Sequence, residues 1–486
     1  MLTLAALLLP PLLASVLAIL VRPYRRFVGW TGVAAAAVSL IAAVRLAAET
    51  LTDTVSAAPA TSDLWHVDAL SALLALCITF VTLLASALAP GLRRDGPDDR
   101  REVRLLRIYM GAFAFTMLVA VTVQNVALMW VAIEATTIAS ALAIPLHRTR
   151  SSVEASWKYL LVCSVGIALA FTGTILAYFD FLATAGEVPG ALNWSVLRET
   201  APSLDPALLQ MAFAFILVGY GTKAGLAPMH TWLPDAHSEA PSPISAMMSG
   251  VLLAVATYAI ARWKTVVDAA VDPAFTNALL AGFGVLSVAI GAFSLVIQRH
   301  YKRMLAYSSV EHMGLVTIGL TLGPLGMFAA WLHVVNHAVA KSASFLLAGR
   351  ILHRYGTTEI ARVSGLMRVM PWTGGLFAIG VLALVGLPPF GLFVSEFLLI
   401  QAAMVGRRWW LAAALLGLLL TTFVSLIAHL NRMLYGEAPE GVRTGEDGAW
   451  PIAALAVPAA VLLVLGVALP GALATLIDRG VSTLLP

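Results

Sequence analysis

Four ionisable residues lie inside apolar stretches of this 486-residue chain: Glu134, Lys223, Lys341 and Glu396. A charge at the centre of a bilayer-spanning helix costs about 2.5–3.5 kcal/mol on insertion scales, so each implies a partner, a water-lined cavity or a proton path. Lys223 is one of only five lysines. Burial lowers a lysine's proton affinity and a nearby carboxylate restores it, so a Glu134–Lys223 pair of variable separation is a proton switch. The plain alternative is an inert ion pair pinning two helices. His333, His337 and Lys341 follow at i, i+4 and i+8, which puts them on one helix face about 6 Å apart per step. Asn336 and Ser344 widen that polar stripe. Histidine titrates near neutrality and relays protons; the competing reading is a hydrogen-bonded helix seam. His312, beside Glu311, and His230 and His237, around Trp232-Leu-Pro234-Asp235 on an inner loop, add entry or relay points. Lys158 is a further entry candidate that can equally snorkel to the surface.

These side chains need a membrane bundle to hold them. The chain is 60% hydrophobic and 12% charged, against roughly 25% charge in soluble domains. A spanning helix takes about 20 apolar residues, and about fourteen such runs occur: 2–21, 27–47, 67–89, 105–123, 125–145, 153–179, 207–228, 242–262, 274–297, 302–322, 325–349, 371–403, 409–431 and 450–477. The first run reads as a retained helix rather than a cleaved signal, because Arg22, Arg25 and Arg26 follow it and no charged segment precedes it. Alternating the runs with both termini outside places most Lys and Arg on inner loops, including Arg93, Arg94, Arg100, Arg101, Arg104 and Arg107. The seventh run is interrupted around Gly219–Pro228 and the twelfth around Gly386–Gly391, with Pro388 and Pro389. Unwound backbone is tolerated in a membrane only beside a cavity or buried in protein. The two breaks lie five runs apart, as two five-helix repeats would place them.

Composition excludes several functions. A net charge of +4 without a basic stripe does not fit nucleic acid binding. Cys77 and Cys163 are the only cysteines, too few for an iron–sulfur cluster. The i, i+4 histidines lack the intervening Glu of a zinc protease, and the glycines near 219–225 follow no strand. No metal and no cofactor is expected.

The segment Lys223-Ala-Gly-Leu-Ala-Pro228-Met-His230-Thr-Trp232-Leu-Pro234-Asp235-Ala-His237-Ser-Glu-Ala-Pro241 resembles the signature of the antiporter-like, proton-translocating membrane subunits of respiratory complex I. So do Met304-Leu-Ala-Tyr307-Ser-Ser-Val-Glu311-His312-Met-Gly314 and His333-Val-Val-Asn336-His337-Ala-Val-Ala-Lys341-Ser. Ser249-Gly250-Val-Leu-Leu and Val310-Glu311-His312-Met-Gly314 are most similar to the hydrogenase-4 component F type of group 4 membrane-bound hydrogenases and formate hydrogenlyases. The resemblance spans runs four to thirteen. It implies an all-α polytopic membrane fold of about fourteen helices, with two inverted five-helix repeats. These occupy 105–262 and 274–435, flanked by 1–104 and by a last helix at 450–477. Each repeat would form half of a proton path. Glu134, Lys223, Glu396 and the eleventh-run His and Lys residues match the family's relay positions. The sequence departs from the family at Ala254, where many members carry a central lysine bridging the halves. Water, His312 or a shifted relay would have to substitute, or the subunit would pump poorly. His300 also stands where an Asp is common.

The implied function is a non-redox membrane subunit that couples electron transfer in partner subunits to proton movement, within the inner membrane of a prokaryotic cell. Its partners would be further antiporter-like subunits and a peripheral hydrogenase-like or quinone-reducing module. The rival readings are a sodium/proton antiporter component, an inorganic-carbon uptake subunit, and a structural subunit whose path has decayed.

Overall fold

The computed structural model describes residues 1–52, 64–92 and 100–485. Arg93, Arg94 and most of the segment 48–66 lie outside them. Among the described residues, twenty α-helices follow in order: α1 Leu2–Leu20, α2 Arg26–Leu51, α3 Ala69–Leu88, α4 Arg100–Thr122, α5 Val126–Ala143, α6 Arg150–Ala185, α7 Trp194–Thr200, α8 Pro206–Ala224, α9 Trp232–Glu239, α10 Ser242–Met247, α11 Leu253–Asp268, α12 Pro273–Val296, α13 Tyr301–Gly319, α14 Gly323–Tyr355, α15 Leu366–Val369, α16 Pro371–Leu384, α17 Gly391–Val405, α18 Trp409–Leu434, α19 Ala449–Val467 and α20 Gly471–Ser482. Only isolated β-bridges join extended residues among those described.

The apolar runs become helices because a chain in lipid must satisfy its backbone internally. Polar residues at the boundaries fix where helices start. Asp68, Asn125, Thr149, Asp205 and Asp272 each accept a backbone N–H in the first turn of the helix that follows, covering donors the helix leaves open. Among the described residues, eleven helical segments are long and apolar enough to cross a membrane; α13 and α14 are not among them, and α16 and α17 are shorter apolar helices.

Burial sorts the helices into a centre and a rim. Residues 243–267, from α10 through α11, are buried without interruption. α14 is buried almost continuously from Met327 to Ala348, and α13 from Val310 to Gly319. The rim helices α6, α12 and α18 turn Leu161, Val165, Phe293, Leu420 and Val424 outward, where acyl chains rather than water would meet them. Glycines let the rim approach the neighbouring helices closely: a Cβ on Gly219 of α8 would stand 2.6 Å from the Gly166 carbonyl oxygen of α6, the small-residue packing expected between helices in lipid.

The two breaks have different anatomies. α8 continues as helix through Gly219 and Gly221 and stops at Ala224; Gly225 takes the left-handed conformation at φ +75°, which glycine adopts without a Cβ penalty. The opened turn is closed from outside: Trp232 Nε1 donates to Thr222 O at 2.9 Å, and Ala227 N donates to Ser287 Oγ at 2.9 Å. Residues 232–239 are therefore not a loop, as the sequence suggested, but the helix α9, whose Trp232, Leu233, Ala236 and His237 are buried. Burial of those four side chains against the bundle outweighs the loop signal of Pro228 and Pro234. The second break, 385–390, turns at Gly386 with φ +64°.

Two further departures concern continuity. The run 450–477 is divided into α19 and α20, because Pro470 disfavours helical backbone at the residue before it. The run 242–262 carries a π-helical turn at Met248–Leu252, a distortion frequent at functional sites and without a sequence signal here.

Candidate functional site

The seventh run positions the first polar cluster. Lys223, in the last turn of α8, is fully buried, and its ammonium donates to Thr137 Oγ1 at 2.8 Å and to Tyr159 Oη at 2.6 Å. Thr137 in turn donates to Glu134 Oε2 at 3.0 Å, and Ser164 donates to Glu134 Oε1 at 2.9 Å. Glu134 and Thr137 face the same way because they stand one turn apart on α5. Tyr159 Oη also lies 2.7 Å from Ser140 Oγ, and its ring faces the ammonium at 4.7 Å. Glu134 and Lys223 thus make no direct ion pair. A hydroxyl stands between them, accepting from the lysine while donating to the carboxylate.

The second cluster gathers on the face of α14 that meets α13. His312 Nδ1 lies 3.0 Å from His333 Nε2, and His333 Nδ1 lies 2.9 Å from Ser395 Oγ of α17. The His312 ring centroid is 5.0 Å from that of His333 and 5.3 Å from that of His337. Lys341 donates to Leu305 O at 2.8 Å and to Ser308 Oγ. His312, His333, His337 and Lys341 are all buried. Neither His337 nitrogen, nor His312 Nε2, nor Glu396 Oε1 has a hydrogen-bond partner among the described residues; the Glu311 carboxylate, with Thr422 beside it, makes no hydrogen bond of good geometry. Asn336 donates to Leu332 O at 2.9 Å, closing its amide onto its own helix.

Donor atoms of His312, His333 and Glu396 lie within 4.8 Å of one another, the spacing from which a small cation could be gripped. Both His333 nitrogens are engaged, by His312 and by Ser395, whereas His312 Nε2 and Glu396 Oε1 have no partner among the described residues.

A row of rings runs from one cluster toward the other. Tyr159 lies 4.8 Å from Trp232, Trp232 lies 6.0 Å from His237, and His237 lies 5.5 Å from Phe345 of α14. His237 is fully buried with both ring nitrogens unpartnered among the described residues. The remaining sequence candidates stand apart from these clusters. Lys158 is half-exposed and pairs with Glu154 at 2.7 Å and Asp235 at 3.4 Å. The His230 ring lies 6.3 Å from Tyr307, and His300 contacts Thr358 Oγ1 at 3.1 Å near the surface. Ala254 is 2% exposed within the wholly buried helix.

Sequence reasoning passed over three buried cations. Arg262 pairs with Asp68, its guanidinium 4.5 Å from the Trp194 ring centre and 4.8 Å from that of Tyr258. Burial opposes ionisation of Asp68, but the Arg262 charge and hydrogen bond, with the Ser71 N–H, hold its carboxyl down to about 2. Lys264 pairs with Asp268. Lys302 donates to Ser238 O at 2.7 Å and Ala240 O at 2.9 Å. A charge count inside the eighth and tenth runs would have flagged Arg262 and Lys302; Lys264 lies two residues beyond the eighth run.

The family model described as NADH:quinone oxidoreductase/Mrp antiporter, TM, matches residues 123–422, which include both clusters. A hydrogenase-4 component F homolog of Methylacidiphilum infernorum (isolate V4) is 44% identical over 331 residues, 68% of this chain and 69% of the relative. Hydrogenase-4 component B of Escherichia coli (strain K12) is 30% identical over 350 residues, 68% of this chain but 49% of the relative. A chain in the structure of the membrane-bound sulfane sulfur reductase, an archaeal respiratory membrane complex, superposes with a TM-score of 0.88 at 24% identity, covering 99% of this chain and 97% of the other.

Proposed function

The chain belongs to the NADH:quinone oxidoreductase/Mrp antiporter transmembrane family, and from that premise we propose that it is a proton-translocating subunit of a redox-driven membrane complex. Electron transfer would take place in a peripheral hydrogenase-like or quinone-reducing module, and further antiporter-like subunits would share the membrane. The hydrogenase-4 names of its relatives support this. Two inverted repeats, 105–262 and 274–435, would each carry half of the path, and both termini would lie on the outer side of a prokaryotic inner membrane.

One observation carries the reading: the Thr137 hydroxyl between Lys223 and Glu134. An inert pin would put ammonium against carboxylate. Here the lysine proton has a hydroxyl acceptor, and that hydroxyl already donates to the carboxylate. Moving one proton along this chain discharges both ends, and a modest shift of α8 makes or breaks it. Lys223 and Glu134 would be the switch of the first half. His312, His333, His337, Lys341 and Glu396 would carry the second, with Glu311 and His237 beside them, and Lys158 and His230 nearer the inner surface.

The test is redox-driven proton uptake into membrane vesicles holding the intact complex. Lys223→Ala and Glu134→Ala should each lower translocation well beyond any loss of assembled complex. Normal pumping in both variants would return the pair to a structural role.

A further inference from the structure

Lys302 is one of the buried cations that the proposed path leaves unused. It is 2% exposed and lies in the first turn of α13. It also lines a cavity of about 640 Å³ with Glu102, His147, Glu239, Arg350 and His353. Leucine and proline side chains make up much of the remaining wall; among the polar groups, Glu102 meets His147 at 3.2 Å, and Glu239 accepts from Ser151 at 2.8 Å. An ammonium has three donors; two go to Ser238 O and Ala240 O, one and three residues after His237 in the chain. His237 sits on the helix whose end Lys302 clasps, and its ring lies 5.5 Å from that of Phe345 on α14. Cavity, Lys302, His237 and the α14 stripe therefore stand in series, and none of these steps passes Ala254.

We propose that this cavity is the inner entrance to the second proton path, with Lys302 as the relay residue at its floor. The inference rests on the translocating role proposed above. In each passage Lys302 gives a proton from its ammonium toward His237, directly or through water, and regains one from water in the cavity. His237 binds that proton on one ring nitrogen and releases one from the other toward His337, which inverts its tautomer; a flip of the imidazole ring then restores the starting state for the next passage. A chain with alanine at 254 can then supply its second half without a central lysine.

The competing role for Lys302 is structural, as a clamp on the C-terminal carbonyls of α9. Lys302→Arg separates the two. Arginine keeps the charge and the donors but does not release its proton. In vesicles holding the intact complex, Lys302→Arg should assemble normally yet translocate roughly a hundredfold less per redox turnover, the lower end of what a proton-transfer group contributes. Translocation equal to that of the unaltered chain would overturn the proposal, and so would recovery in proportion to assembly. A second measurement uses His353→Cys at the exposed rim; the native Cys77 and Cys163 are buried. A membrane-impermeant thiol reagent applied from the inner side should label it, and a bulky adduct should lower translocation relative to the same variant before labelling. Absence of labelling, or full labelling without loss, would refute the entrance. Lys223→Ala run alongside tells the failures apart. If it abolishes pumping while Lys302→Arg does not, only the entrance is wrong; if neither matters, the translocating role itself is wrong.

Discussion

Arg262 and Lys223 are both completely buried cations on central helices, and they are held in opposite ways. Arg262 touches its carboxylate directly and is bracketed by the rings of Trp194 and Tyr258. Lys223 reaches its carboxylate only through Thr137. A guanidinium does not deprotonate in a protein, and a direct contact leaves no group through which a proton could travel; that arrangement fastens α11 to the start of α3. An ammonium can lose its proton, and a hydroxyl both accepts and donates. The difference separates a buried charge that holds helices together from one that can change state. The α14 cluster extends the second kind: it has more titratable groups than the first cluster and many polar atoms unused by neighbouring side chains, so its hydrogen bonds have room to rearrange.

The contrast can be broken in four ways, from the largest effect to the smallest. Asp68→Asn leaves Arg262 buried without its counter-charge and should cost about 3–5 kcal/mol of stability, read as loss of assembled complex and of thermal stability in detergent. Because the Asp68 carboxyl is held down to about 2, against about 3.9 when unfolded, the pair's contribution is present above the unfolded value. The gap between the two proteins should stay constant down to about pH 4 and narrow as pH falls toward 2. A gap that closed already at neutral pH would contradict the pairing.

Lys223→Arg retains the charge but not the exchangeable proton. Translocation per assembled complex should fall about a hundredfold, whereas Arg262→Lys should reduce assembly without altering translocation per complex. If both variants changed the same quantity, the distinction between them would be lost.

Thr137→Ala removes the intermediary hydroxyl. Translocation should drop about tenfold, the rate equivalent of the ~1.5 kcal/mol that a hydrogen bond to a charged group contributes, and Thr137→Ser should restore most of it. Equal values for the alanine and serine variants would mean that the hydroxyl only fills space.

Ala254→Leu asks whether the halves share one path. If the second half has its own inner entrance, the variant should lose about 1–3 kcal/mol of stability from overpacking while translocation per complex stays within the range of the unaltered protein. A loss as deep as that of Lys223→Arg would show that protons cross beside Ala254.

Much of the molecule was legible in the chain itself. Apolar runs of membrane length and scarce charge dictate an all-helical bundle, since only closed backbone hydrogen bonding is tolerated in lipid. Glycine and proline marked both breaks, because φ/ψ limits are local. The i, i+4, i+8 spacing put His333, His337 and Lys341 on one face, because helical periodicity is local too. What packing alone decided are contacts between residues distant in the chain: the Thr137 hydroxyl set between Lys223 and Glu134, His312 brought against His333, Asp68 met by Arg262 from 194 residues away, and α9 buried as a helix where proline suggested a loop. Periodicity assigns each side chain to a face but does not say which face of another helix it will meet. That choice follows from close packing of the whole bundle, and here it makes one buried cation a fastening and another a candidate switch.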